Sequence, residues 1–297
     1  SIITVGGGSA HDCGKGIGII LTNGDDITKL AGIETLDKPL PPLMAVNTTA
    51  GTGSELTRHA VITNEETHLK FVVVSWRNIP LVSFNDPMLM LGIPKATTAA
   101  TGLDAYVQAV EPYVSVDHND ITDSQCEKAI KLIQQYLPEA VANGNNVEAR
   151  TKMVEGEMLA GMAFNNANLG YVHAMAHQLG GQYDAPHGVC CALMLPVVEE
   201  WNIIACPDRF AELAKIMGYD ISGLTTMEAA HKAIDGMREL AKAIGIPDSI
   251  KAIGAKPEDF ELMAENALKD GNAFSNPRKG TKEDLVKLFQ KAYDGIY

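Results

Sequence analysis

Ile2-Ile3-Thr4-Val5-Gly6-Gly7-Gly8-Ser9-Ala10-His11-Asp12-Cys13-Gly14-Lys15 is the stretch on which the fold turns. A β-branched run with no polar alternation reads as a strand buried on both faces, the habit of parallel sheets. The glycines that follow mark a tight strand-to-helix turn, and the spacing predicts a helix from about Ser9 to Leu21. Further short apolar runs follow at Met44–Asn47, Phe71–Ser75 and Leu81–Asn85. Strands alternating with helical or turn segments imply βαβ units and a mainly parallel sheet. Because Ile2 enters its strand without lead-in, a further segment is expected to precede Ser1.

After Pro94 the texture changes. The windows Thr97–Val114, Asp120–Tyr136, Val147–Phe164, Val172–Tyr183 and Pro207–Met217 carry apolar residues at helical spacing. Thr225 with Glu228 reads as a capping box, Gly245 and Pro247 close the next helix, and Lys256-Pro257-Glu258-Asp259 opens another. The expected architecture is therefore an α/β part over residues 1–92 with an incomplete parallel sheet, followed by an all-α domain over 93–297. No long linker separates them, so a cleft between the two is the default ligand site.

Composition narrows the function classes. The 297 residues are 46% hydrophobic and 21% charged, as in globular proteins. Lys and Arg number 24 against 37 Asp and Glu, a net charge of −13, which argues against nucleic-acid or anionic-membrane surfaces. No run approaches the ~18 consecutive apolar residues of a membrane span. Five cysteines (Cys13, Cys126, Cys190, Cys191, Cys206), odd in number and without CxxC pairs, fit a reducing, cytoplasmic setting.

Two loops invite a phosphate. Gly6-Gly7-Gly8-Ser9, with Asp12 and Lys15, stands where a helix N-terminus offers free N–H groups, although it is not the GxGxxG pattern and equally suits a plain tight turn. A second polar loop, Asn47-Thr48-Thr49-Ala50-Gly51-Thr52-Gly53-Ser54-Glu55, also follows a strand, and two such loops suggest a bound nucleotide. Lys70 either reaches the same phosphates or is a solvated lysine.

A second chemistry lies in the histidines. His173 and His177 are four apart on a predicted helix, and His187 follows in a Pro186-His187-Gly188 turn. Three histidines in an apolar, small-residue segment are costly without partners, and metal ligation is the cheaper explanation. The remaining histidines (His11, His59, His68, His118, His231) show no such clustering. Asp104 and Gln108 share a face of the helix near Thr101–Glu111. Asp104 with His173 and His187 would suit Fe(II) or zinc, leaving room for a substrate. A nucleotide cleft facing a metal suits alcohol or aldehyde redox chemistry, with metal-dependent phosphoryl or hydrolytic chemistry as the rival.

The segments GGGSAHDCGK, TTAGTGSELTRHAVITNEE, KFVVVSWRNIP, AGMAFNNANLGYVHAMAHQLGG, PHGV and LKDGNAFSNPRKGT resemble the iron-containing (group III) alcohol dehydrogenases, and among them the 1,3-propanediol dehydrogenases. The resemblance implies an oxidoreductase with a dinucleotide-binding α/β domain, a helical metal domain, NAD and one catalytic iron. By position it implies Asp104, Gln108, His173 and His187 as metal ligands. His177 becomes a proton-relay or positioning residue beside metal and nicotinamide. Gly7, Gly8, Ser9 and Asp12 match the pyrophosphate loop, Thr48, Thr49, Thr52 and Ser54 the second cofactor loop, and Lys70 a cofactor-side lysine. The implied substrate is a small alcohol or aldehyde, 1,3-propanediol and 3-hydroxypropanal first, with lactaldehyde, glycerol or simple alcohols as sister activities. A homo-oligomer is expected.

The chain departs from that pattern in places. Gln108 replaces a histidine ligand with a harder, weaker neutral amide donor. Asn47 stands for a proline, Cys191 for an asparagine and Val197 for a histidine. These changes motivate a rival expectation, a metal-poor relative acting as a binding or assembly subunit.

Overall fold

The computed structural model describes residues 1–24, 26–64 and 70–297, and among them six strands precede nine α-helices, with a tenth helix between the first two strands. The opening motif folds as the strand-to-helix unit read, but the strand is not buried on both faces: Ile3 and Val5 are 64% and 65% exposed on one side of it. Strand β1 (Ile2–Gly6) runs into helix α1 (Gly8–Asn23). After β2 (Gly32–Ile33) comes β3 (Leu43–Asn47), then β4 (His59–Thr63), β5 (Lys70–Val74) and β6 (Val82–Phe84).

These strands form two small sheets. The first, in the order β1-β3-β6, is wholly parallel, with Ile2 opposite Leu43, Gly6 opposite Asn47 and Met44 opposite Val82. Its two glycine-containing loops therefore leave from neighbouring strand ends. The second sheet, β2-β5-β4, is mixed and refines the sequence reading: Phe71–Val74 lies outside the β1-β3-β6 sheet, pairing parallel with β2 (Gly32 opposite Val73) and antiparallel with β4 (Ile62 opposite Phe71). Strand β4 went unread because only Ala60, fully buried beside exposed Val61, carries its alternation.

The helices are α2 (Lys95–Val114), α3 (Asp120–Ala142), α4 (Val147–Ala167), α5 (Tyr171–Tyr183), α6 (His187–Asn202), α7 (Pro207–Ile216), α8 (Thr226–Ala243), α9 (Phe260–Lys269) and α10 (Lys282–Asp294). Helix α2 is buried along nearly its whole length from Thr98 and touches α3, α4 and α6. The Thr225–Glu228 capping box forms reciprocally, while Pro257–Asp259 makes a 3₁₀ turn ahead of α9.

Two readings change in α6. His187 is the first residue of this helix rather than part of a turn. The stretch His187–Ala205 is also long and apolar enough to cross a membrane by length and composition, but it lies against α2, α5 and α8 in the helical core. The core of residues 99–296 is a single apolar cluster, whereas Ile19, Leu36, Ala60 and Val73 form a small separate one beneath the second sheet. His68 lies outside the described residues.

Candidate active site and metal centre

The first loop packs directly on the second. A Cβ at Gly7 would sit 2.7 Å from Thr49 Oγ1, and one at Gly8 2.7 Å from Thr52 Oγ1, so glycine is required for the approach. Thr48 N–H donates to the Gly6 carbonyl (3.0 Å), closing the pair. No side chain caps α1 and its first turn holds no acid, which leaves its N-terminal dipole open to an anion. Asn47 braces the second loop, accepting from Thr49 N–H (3.1 Å) and donating to Asn85 Oδ1 (3.0 Å).

Not every residue read as a phosphate contact is free to be one. Lys15 is wholly buried and donates to the carbonyls of Ser54 (2.6 Å), Thr57 (3.0 Å) and His59 (2.6 Å), with burial drawing its ammonium down to about 8. It is a staple beneath the loops. Asp12 accepts from the Ser54 hydroxyl (2.6 Å) and Val61 N–H (3.2 Å), so Asp12 and Ser54 hold the loops to each other. Ser9 is exposed at the start of α1, and Thr48, Thr49 and Thr52 are half-buried along the loop.

The helical part meets these loops through α4. Glu157 accepts from Gly53 N–H (2.7 Å) and Asn165 from Arg58 N–H (2.9 Å). Lys70 lies near α5 and, with His177, Gln178, Asp259, Met263 and Asp270, lines a cleft.

All three histidines converge. The His173 and His187 ring centroids are 5.4 Å apart, and the His177 ring lies 5.3 Å from His187 and 6.2 Å from His173. Asp104 Oδ1 is 3.5 Å from His173 Nε2 and 3.4 Å from His187 Nε2. One turn along α2, Gln108 is also buried. Asp104 Oδ1, Gln108 Oε1 and His173 Nε2 are buried without a hydrogen-bond partner among the described residues. Around Asp104 the orphaned oxygen and imidazole lone pairs are what a bound cation would satisfy, so Asp104, His173 and His187 fit a divalent metal.

Supporting groups orient the rings. Glu111 Oε2 accepts from His173 Nδ1 (2.5 Å), leaving Nε2 turned to Asp104, and Glu111 Oε1 accepts from Val172 N–H (2.7 Å). Asp270 Oδ2 holds His177 Nδ1 at 2.7 Å. Burial lowers the His187 imidazole to about 3, against the opposing pull of the Asp104 carboxylate beside it. Burial opposes ionisation of Asp104, yet His187 and His173 hold its carboxyl below the usual range.

The sequence reading missed Glu111 and Asp270, and it noted Cys191 as a departure from the family pattern without placing it among the metal donors. Glu111 extends the Asp104–Gln108 face by three residues, a signal that was present. Cys191 Sγ is 3.6 Å from His187 Nε2, and Asp104, His173, His187 and Cys191 offer donor atoms all within 4.8 Å of one another. Reading His187 as a helix start would have placed Cys191 one turn on along the same face. The NAFSNPRKG segment acts by support: Asn276 accepts from Tyr171 N–H (3.1 Å) at the start of α5, and Ser275 donates to the Leu169 carbonyl (2.6 Å).

Comparison with known proteins agrees with this geometry. Residues 1–87 match the model of the iron-containing alcohol dehydrogenases, and residues 98–293 that of the C-terminal part of the Fe-containing alcohol dehydrogenase family. A 1,3-propanediol dehydrogenase of Klebsiella pneumoniae is 59% identical over 98% of this chain and 76% of its own length. The lactaldehyde reductase of Escherichia coli strain K12 is 40% identical over 98% of the chain and 76% of its own. The solved alcohol dehydrogenase from Oenococcus oeni is 81% identical, with a TM-score of 0.96, over 98% of this chain and 76% of that one.

Proposed function

The chain belongs to the iron-containing alcohol dehydrogenase family, whose members use NAD(H) and iron, and from that premise we propose that it interconverts a short primary alcohol and its aldehyde, 1,3-propanediol and 3-hydroxypropanal first among them. The observation that carries the proposal is the convergence of buried, unpartnered Asp104 Oδ1 and His173 Nε2 with His187. The substrate choice rests on the 59% identity to the Klebsiella pneumoniae enzyme.

In this reading Asp104, His173 and His187 hold the metal with Gln108 beside them, and residues 93–297 form the metal domain. Residues 1–92 hold the cofactor, its pyrophosphate against Gly7, Gly8 and Ser9, with Thr48, Thr49 and Thr52 alongside and Lys70 on the far side. Asp12 and Ser54 keep the two loops in register. When bound, the metal supplies Lewis acidity at the alcohol oxygen and the nicotinamide a hydride acceptor. His177, fixed by Asp270 and lining the cleft, passes the hydroxyl proton toward solvent. The protein works in a reducing cytoplasm as a homo-oligomer.

Gln108 favours a second reading, a metal-poor relative with a binding or assembly role. Metal analysis of purified protein beside NAD-linked 1,3-propanediol oxidation, with and without Fe(II), separates the two. The expected result is about one metal per chain with turnover, both lost in His187→Ala. Wild-type turnover by His187→Ala in metal-free buffer would sink the proposal. Parallel assays with lactaldehyde and glycerol decide between the sister substrates.

A further inference from the structure

We infer that the Cys191 thiolate is itself a metal ligand in this chain, standing in for the imidazole that Gln108 does not provide. The inference rests on the metal-dependent reading above and deepens it.

Three observations place the sulfur there. His187 starts α6, so Cys191 falls one turn later on the same face, and its Sγ lies 3.6 Å from His187 Nε2. Two buried donors, Asp104 Oδ1 and His173 Nε2, have no other partner and belong to the same cluster. The spacing is also that of a coordination shell. Bonds of ~2.0–2.3 Å in a tetrahedron put neighbouring donors roughly 3.3–3.8 Å apart. The separations of 3.5 Å (His173 to Asp104), 3.4 Å (His187 to Asp104) and 3.6 Å (His187 to Cys191) all fall in that range. The widest donor pair is within 4.8 Å, so closing the set needs about 1 Å at most.

The chemistry has a direction. On coordination the Sγ–H proton leaves to solvent and a sulfur lone pair forms the bond. Replacing a neutral nitrogen donor by a thiolate softens the set, which raises the preference for zinc or cobalt over iron(II) beyond that of an all-nitrogen-and-oxygen shell.

The test loads the metal-stripped full chain with Co(II) and records its absorption. Thiolate ligation gives a sulfur-to-cobalt charge-transfer band in the near ultraviolet, which nitrogen and oxygen donors do not. The band is expected in the wild type and in Cys190→Ser, and is expected to vanish in Cys191→Ser, where the zinc-to-iron affinity ratio also falls about tenfold or more. Should Cys191→Ser fail to fold, the wild-type and Cys190→Ser spectra still decide. Bound cobalt with visible d–d absorption but no charge-transfer band overturns the thiolate and leaves the dehydrogenase reading standing. A wild type that takes up no cobalt overturns both.

Discussion

Glu199 shows how costly a single unmatched carboxyl is in this core. It is fully buried in α6, and among the described residues its Oε1 has no partner while Oε2 accepts from Asn202 Nδ2 (3.1 Å). Burial, aided by nearby Glu111, pushes its carboxyl up from 4.5 to about 8. Between those values the folded state keeps a proton that the unfolded chain has released. Stability present in full below about pH 4.5 is therefore lost as pH rises toward 8, by an amount on the order of 3 kcal/mol at pH 7. Glu199→Gln keeps an acceptor for Asn202 and removes this dependence. Melting temperatures measured from pH 5 to 8 should fall less steeply in Glu199→Gln than in the wild type, and equal slopes would contradict the account. At this scale Asp104, His173, His177 and His187 were legible because histidines and an acid among apolar residues demand a reason. Asp12 and Lys15 read less plainly, since a side chain that braces a loop from beneath and one that serves a ligand look alike in a string of letters.

Helix α6 is where element boundaries decide chemistry. Pro186 before His187 read as a turn, yet proline also sits comfortably at the edge of a helix, and the following run is apolar without period because the helix is buried all round. That same lack of period hid the helix start and, with it, the place of Cys191 beside His187. Gly188 is what seats the element: a Cβ there would lie 2.0 Å from the Ala100 carbonyl oxygen of α2, a backbone atom that cannot yield. Gly188→Ala should push α6 off α2, cost ~1–3 kcal/mol or more, and weaken metal binding because His187 and Cys191 ride on the displaced helix. Gly92→Ala, where nothing lies within 4 Å, is the matched control. A Gly188→Ala protein with unchanged melting temperature and unchanged metal affinity would show that the contact is soft. The parallel strands and long amphipathic helices were readable from spacing, whereas β4 was not, since its pairing with β5 is a tertiary choice.

Across the whole molecule the candidate centre joins helices far apart in sequence: Asp104 comes from α2, His173 from α5, and His187 and Cys191 from α6. An unfolded chain cannot gather these donors, so a metal that binds them stabilises the folded state by mass action, ~2.7 kcal/mol when free metal is a hundredfold above its dissociation constant. For a chain of this size that corresponds to about 5 °C. The second glycine-containing loop and the chain just after it feel the same restraint indirectly, because α4 holds them through Glu157 and Asn165 while packing on α2. Adding a chelator to metal-loaded protein should lower its melting temperature by about this amount, and His187→Ala should show no such response. If the chelator leaves the wild type unmoved while removing its metal, the donors are held in place by the packing of α2, α5 and α6 alone, and the metal adds chemistry without adding stability.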